Sequence, residues 1–298
     1  MAQRTAKQRR ADNTRQAKLA QLKAAERRRR ARIWGVIGVI GVIVVIVLIM
    51  VGVKLGAGNG NGDQVSNAGA AKVAKQVTSV PAGVFAKIGP GTVSNPPKAI
   101  NGQSLTQDGK PKVLYVGGEF CPYCAAERWA VVAALSRFGT WSNLGLTTSS
   151  SHDVFPDTPT LSFHGASYTS DYVAFSGFET TDRDQQPLDK LPSADQKILN
   201  KYGVEPYVPG AQPGQPPIPF VYFGGKYLSS GASYDPGVLK GLTHSDVAKA
   251  MHDPSSDVAK AVDGSANAIS AAVCKLTDDK PANVCSAPGV RAAAAKLQ

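Results

Sequence analysis

Sulfur and imidazole are scarce in this chain of 298 residues, which holds four cysteines and four histidines. A structural zinc site needs four ligands, usually as two pairs of comparable spacing. One Cys-x-x-Cys is present, at Cys121 and Cys124, and no second pair of that spacing exists. That argues against zinc and leaves redox chemistry as the main reading of the pair, with a plain structural disulfide as the lesser one. None of His152, His164, His244 and His252 stands at a ligand spacing from the two cysteines. Negative charge is also thin, 22 Asp and Glu against 33 Lys and Arg, for a net charge of +11. Of that excess, +10 lies in residues 1–32, where twelve basic side chains face only Asp12 and Glu26, so the rest of the chain is nearly neutral. No aromatic accompanies the basic tail, and a nucleic-acid contact is accordingly not expected of it. No internal repeat is evident.

Long apolar runs are missing as well, with one exception. Residues 33–53 are 21 residues without a charge, rich in Ile and Val, and as a helix they span about 30 Å, the thickness of a bilayer core. The run is too long for the apolar region of a cleaved signal peptide, so it is expected to be an uncleaved signal anchor. The basic flank places the N-terminus in the cytoplasm and the remainder outside. The expected organisation is a basic cytoplasmic tail (1–32), a transmembrane anchor (33–53), a flexible Gly- and Asn-rich linker (54–80) and an extracytoplasmic domain (81–298) with a helical extension from about residue 252. All four cysteines fall beyond the anchor, where disulfides persist.

The most informative stretch is 112–129: an apolar run at Val113 to Val116, two glycines, then Cys121-Pro122-Tyr123-Cys124 opening a helical pattern. This order sets Cys121 at a helix N-terminus, where unpaired N–H groups and the helix dipole favour a thiolate. Pro122 suits the first helical position. Cys121 is thus expected to be the exposed attacking sulfur and Cys124 the less exposed resolving one. Glu119 and Glu127 are candidates to assist Cys124, against the blander reading of solvated surface acids. Arg128 and Trp129 read as structural.

Elsewhere the pattern predicts one or two helical turns at 72–80, a short strand at 84–88 and a hairpin or loop through Asp108-Gly109 into the strand at 113–116. The helix opened at Cys121 should stop at Gly139. Strands follow at 144–148, 160–164 and 171–178. Ser193 with Gln196 reads as a capping box opening a helix to Tyr202. A hairpin turns on Gly224-Gly225 with Pro219 before its first strand. Thr243 with Asp246 marks another helix start, and residues 255–276 form a longer helix. Asp278-Asp279-Lys280-Pro281 ends that helix, and a chain turning back there can bring Cys274 and Cys285 within disulfide distance. A structural bridge is therefore expected, with a second redox relay as the alternative.

The succession of strand, Cys-x-x-Cys helix, intervening elements, Pro-led hairpin and C-terminal helix resembles the thioredoxin superfamily over roughly residues 113–251. The run Glu119-Phe-Cys-Pro-Tyr-Cys-Ala-Ala-Glu-Arg-Trp129 with Leu135 to Gly139 is similar to membrane-anchored, thioredoxin-like prokaryotic proteins of the domain of unknown function 929 type. The resemblance implies an α/β thioredoxin-like fold, a central mixed sheet flanked by helices. It implies Cys121 as nucleophile, Cys124 as resolving cysteine and Pro219 as a cis-proline facing them. The Ile218 backbone would then pair with a bound peptide, beside Pro122 and Tyr123. The pattern departs from thioredoxins at Tyr115, where many carry a buried Asp, and at Phe120, where many carry Trp. The stretched Ser230-Gly231-Ala-Ser-Tyr-Asp235 argues against glutathione use. The function expected is thiol-disulfide exchange or isomerisation on exported cysteine-containing proteins, with a membrane redox partner and no cofactor beyond the redox-active disulfide. A copper chaperone using the same cysteines and a non-catalytic adaptor are the alternatives.

Overall fold

The computed structural model describes residues 67–297. The expected basic tail, the membrane span at 33–53 and the first part of the linker, 54–66, lie outside the described residues. Among the described residues, no helix is long and apolar enough to cross a membrane.

In chain order the first elements are α1 (Asn67–Thr78), α2 (Ala82–Ile88), β1 (Lys98–Ala99), β2 (Thr106–Gln107), β3 (Lys110–Gly117) and α3 (Pro122–Leu135). Five strands and a helix follow: β4 (Thr140–Ser142), β5 (Gly145–Thr148), β6 (Pro159–Ser162), β7 (Ser167–Thr169), β8 (Ala174–Glu179) and α4 (Ser193–Tyr202). The last part holds β9 (Phe220–Phe223), β10 (Tyr227–Ser230), a 3-10 turn (Pro236–Leu239), α5 (His244–Ala250), α6 (Asp257–Leu276), α7 (Ala282–Cys285) and α8 (Pro288–Ala294).

The centre of the main sheet is β3, because its apolar run Val113 to Val116 can be buried on both faces. It pairs parallel with β8 on one side, and on the other antiparallel with β9, which continues through β10 to β1. Both pairing directions make the sheet mixed. The Asp108-Gly109 turn joins β2 to β3 with both residues at positive φ, 50° and 75°. That is the backbone a two-residue hairpin needs. Alternation along β3 sorts the two cores: Val113 and Tyr115 pack with α3 and α6, while Leu114 and Val116 pack with Ile198, Leu199 and Tyr202 of α4. Helices thus flank the sheet on both faces.

On the first face α6 is buried along most of its length. Gly264 lets the chain pass close: a Cβ there would lie 2.7 Å from the Pro90 carbonyl oxygen and 2.9 Å from Gly91 Cα. Cys274 and Cys285 form the expected disulfide, with Cα atoms 5.6 Å apart.

Several local expectations are corrected. Residues 84–88 are helical, since Pro81 serves as N-cap of α2, Val84 and Phe85 are buried, and the Phe85 carbonyl lies against Asn267 of α6 and Gly289 of α8. The helix expected as a turn or two at 72–80 is a twelve-residue α1 that begins inside the linker range. The Ser193 capping box does not form: Pro192 is the N-cap of α4, its carbonyl accepts the Gln196 N–H, and the Gln196 amide bonds Asn200. The pairing of β4 with β7 carried no sequence signal, since three-residue strands are too short to show a period. Trp141, Phe163, Tyr168 and Phe175 hold that edge together.

Candidate functional site

The loop 118–121 leads from the end of β3 into α3, and Cys121 is the N-cap of that helix. Its Sγ accepts the Cys124 N–H at 3.3 Å, so the sulfur does the work usually given to a Ser or Asp oxygen. Pro122 fills the first helical position, as its missing N–H and fixed φ allow. Both sulfurs are free thiols.

The two are electrostatically unlike. A hydrogen bond from the Cys124 side chain, helped by the Cys124 and Tyr123 N–H groups and by the Arg128 guanidinium, brings the Cys121 thiol down to about 7 against the opposing effect of burial. Burial pushes the Cys124 thiol well up, and the neighbouring Cys121 adds to this. The exposure expected of Cys121 is corrected, for it is only 6 % exposed, against 0 % for Cys124. The segment before β9 covers it: the Ile218 carbonyl oxygen lies 4.0 Å from Cys121 Sγ, and the Ile218–Pro219 peptide bond is cis. Pro219 is buried and its carbonyl accepts the Gly231 N–H. The structure thus brings Cys121, Cys124 and Ile218–Pro219 together.

Tyr123 lies at the rim, 42 % exposed, with its ring edge-on to Phe155 at 6.0 Å. The loop that carries Phe155 is tied to the site by the Ser150 N–H, which donates to the Phe120 carbonyl. It also carries Val154, which with Tyr123 makes up the exposed large apolar side chains among the described residues.

Beneath the cysteines is a charged layer that sequence reasoning read as structural or missed. Arg128 is fully buried. Its Nε and Nη2 reach the two oxygens of Glu179 at 2.8 and 2.7 Å, and Nη2 also donates to the Gly118 carbonyl at 2.7 Å. Glu179 closes an otherwise uncharged strand, and that contrast was the only signal for it. The Tyr115 hydroxyl is buried with no hydrogen-bond partner, and burial raises its pKa well above the usual value. Trp129 packs in the core, its indole N–H donating to Pro159.

Neither candidate acid is a solvated surface group. Glu119 is half-buried and accepts from Thr147 and Ser162. Glu127 is fully buried, because α3 is covered on that side by the segment after β10: its carboxyl accepts the Ser233 N–H at 2.8 Å and hydroxyl at 2.9 Å. Burial, partly offset by those two bonds, pushes Glu127 up to about 7.

The histidines are engaged by partners other than the dithiol. His152 meets Ser151, His164 meets Asp189, His244 meets the Thr147 carbonyl and His252 the Gln76 carbonyl. Among the described residues no three of His, Cys, Asp and Glu form a metal-binding cluster.

The family model described as "Domain of unknown function (DUF929)" matches residues 96–275, a span that contains the dithiol, the charged layer and Pro219. No curated protein and no solved structure matches the chain.

Proposed function

We propose that this chain, which belongs to the DUF929 family, is a thiol-disulfide oxidoreductase or isomerase of thioredoxin-like fold, anchored in the membrane and acting on cysteines of exported proteins. The observation that carries the reading is the asymmetry of the dithiol. One sulfur caps a helix with its thiol near neutrality, and the other is buried one turn below it with its thiol raised. A structural disulfide has no need of that difference, whereas exchange chemistry does.

The thioredoxin-like assignment is supported by a mixed sheet between α3 and α6 on one face and α4 on the other, and by the cis-proline segment that leads into β9. In the reductive direction the Cys121 thiolate attacks one sulfur of a client disulfide. A mixed disulfide forms and the client's other sulfur leaves as a thiolate that takes up a proton. Cys124 then loses its proton and attacks Cys121 Sγ, forming the Cys121–Cys124 disulfide and releasing the second client thiolate. Two electrons pass to the client, and a dithiol-bearing membrane partner returns them to the pair. Oxidation of a client is the same sequence reversed. Ile218, at the mouth of the site, offers backbone to an extended client segment, and Pro122 and Tyr123 flank it.

The test is a pair of substitutions in the full-length chain. Cys121→Ser abolishes exchange, whereas Cys124→Ser keeps the attacking thiol and accumulates mixed disulfides with clients, seen as reducible higher-mass bands. Wild-type exchange rates in both variants would reject the reading.

A further inference from the structure

Cys121, Cys124 and Arg128 are spaced by three and four residues along α3, which sets them on one helical face. Helical side chains slope toward the N-terminus, so the guanidinium is directed back under the turn that bears the cysteines. Its bond to the Gly118 carbonyl, three residues before Cys121, fixes it there. Thr160 Oγ1 accepts from Nη1 at 3.4 Å and donates to the Ala125 carbonyl. Glu179 receives the fork bidentately, the geometry of a charged guanidinium and a carboxylate. It is held there because β8 runs parallel to β3 with Glu179 beside Gly117. Both partners of the pair are 0 % exposed.

A fully buried ion pair gives little net stability, since an apolar pair of the same volume does as well. Its place under two thiols calls for another account. The charged and titratable groups acting on the dithiol are Arg128 from α3, Glu179 from β8 and Tyr115 from β3, with Glu119 acting in turn on Glu179. Arg128 is the one cation among them, and it lowers both thiols.

We propose that Arg128 and Glu179 are a positioning pair that sets the redox poise of the Cys121–Cys124 dithiol. The guanidinium favours the thiolate, and Glu179 fixes the guanidinium in place while tempering its charge. Only the reduced form carries a thiolate, so positive charge beneath the sulfurs favours dithiol over disulfide and makes the pair the stronger oxidant. This inference rests on the thiol-disulfide reading above and names what tunes that site.

The experiment uses the full-length chain with Arg128→Met, Arg128→Lys, Glu179→Gln and the double variant Arg128→Met/Glu179→Leu. Two quantities are read: the pH midpoint of Cys121 alkylation by iodoacetamide, mapped by mass spectrometry, and the equilibrium with a glutathione redox buffer. Loss of the cation should move the midpoint up by about one pH unit and disfavour the dithiol about tenfold. Arg128→Lys should stay near wild type, and Glu179→Gln should move the midpoint down. The double variant leaves no orphan charge in the core and carries the test if Arg128→Met does not fold. Its expected shift is upward, because Arg128 acts directly on the Cys121 thiol, whereas Glu179 acts on Cys124, where Arg128 outweighs it. A merely structural role would lower the stability of Arg128→Met and Glu179→Gln and move neither midpoint. Unshifted midpoints in folded variants, or shifts of one sign for Arg128→Met and Glu179→Gln, overturn the proposal. A wild-type chain that equilibrates with no disulfide at all overturns the function instead, and the alkylation profiles remain readable in that case.

Discussion

Asp263 and Glu127 show how burial alone rewrites a side chain. Asp263 lies on α6 at 0 % exposure with neither carboxyl oxygen hydrogen-bonded, and burial, opposed only by Arg137, pushes it up to about 8. Glu127 is held near 7 for the same reason, and burial, with both carboxyls adding to it, raises the Tyr234 hydroxyl. Each carboxyl has a folded pKa above its unfolded one. Between about pH 4 and pH 8 the folded state therefore holds more protons than the unfolded, and stability falls as pH rises through that window. Urea unfolding should give the highest stability near the lower end of that window, about pH 4, and a loss on the order of several kcal/mol by pH 8. Glu127→Gln should flatten the fall below about pH 7, and Asp263→Asn should flatten it over the whole window. A slope unchanged in both variants would show that the two groups ionise freely in the folded chain. The sequence offered these residues as charges on helices, and nothing in their neighbours foretold the neutral forms, because the covering groups arrive from segments far along the chain.

At the scale of elements, the disulfide between α6 and α7 separates a structural from a redox role for the second cysteine pair. Cys274 stands in the last turn of α6 and Cys285 ends α7, so neither occupies the helix N-terminus that lowers a thiol pKa. The ring it closes, with a sequence separation of 11, contributes about 3 kcal/mol in the loop-entropy model. Replacing both cysteines by Ala should lower the melting temperature and leave exchange at Cys121–Cys124 intact. Lost exchange with unchanged melting would point to a relay. This bridge was legible in the spacing and in the proline that ends the helix. So were β3 with its Asp-Gly hairpin, the Gly-Gly turn between β9 and β10, and the Thr243–Asp246 capping box of α5. The elements misread were α1, which starts inside the expected linker, α2, whose apolar run fits helix and strand alike, and the start of α4, where a Ser one residue inside the helix imitated a cap.

For the whole molecule, the proposed topology has its own test: a reporter fused after Gln298 should be active outside the cytoplasm, and the full-length chain should sediment with membranes. A shortened, soluble product would show that residues 33–53 are removed. The amino-acid sequence by itself determined the local matters: the dithiol at a strand-to-helix junction, its cap and first-turn proline, the hairpins, the charge of the tail and the length of the apolar run. These follow from interactions among residues a few positions apart, which any copy of the segment would make. Tertiary structure alone decided that β5 and β6 pair with each other apart from the main sheet and that Cys121 is buried with the Ile218 carbonyl against its sulfur. It also decided that Glu127 faces Ser233 and that Arg128 meets Glu179, 51 residues on, beneath the sulfurs. Burial and long-range pairing depend on which distant segments dry a site and supply its partners, and no window of sequence contains both halves of such a contact.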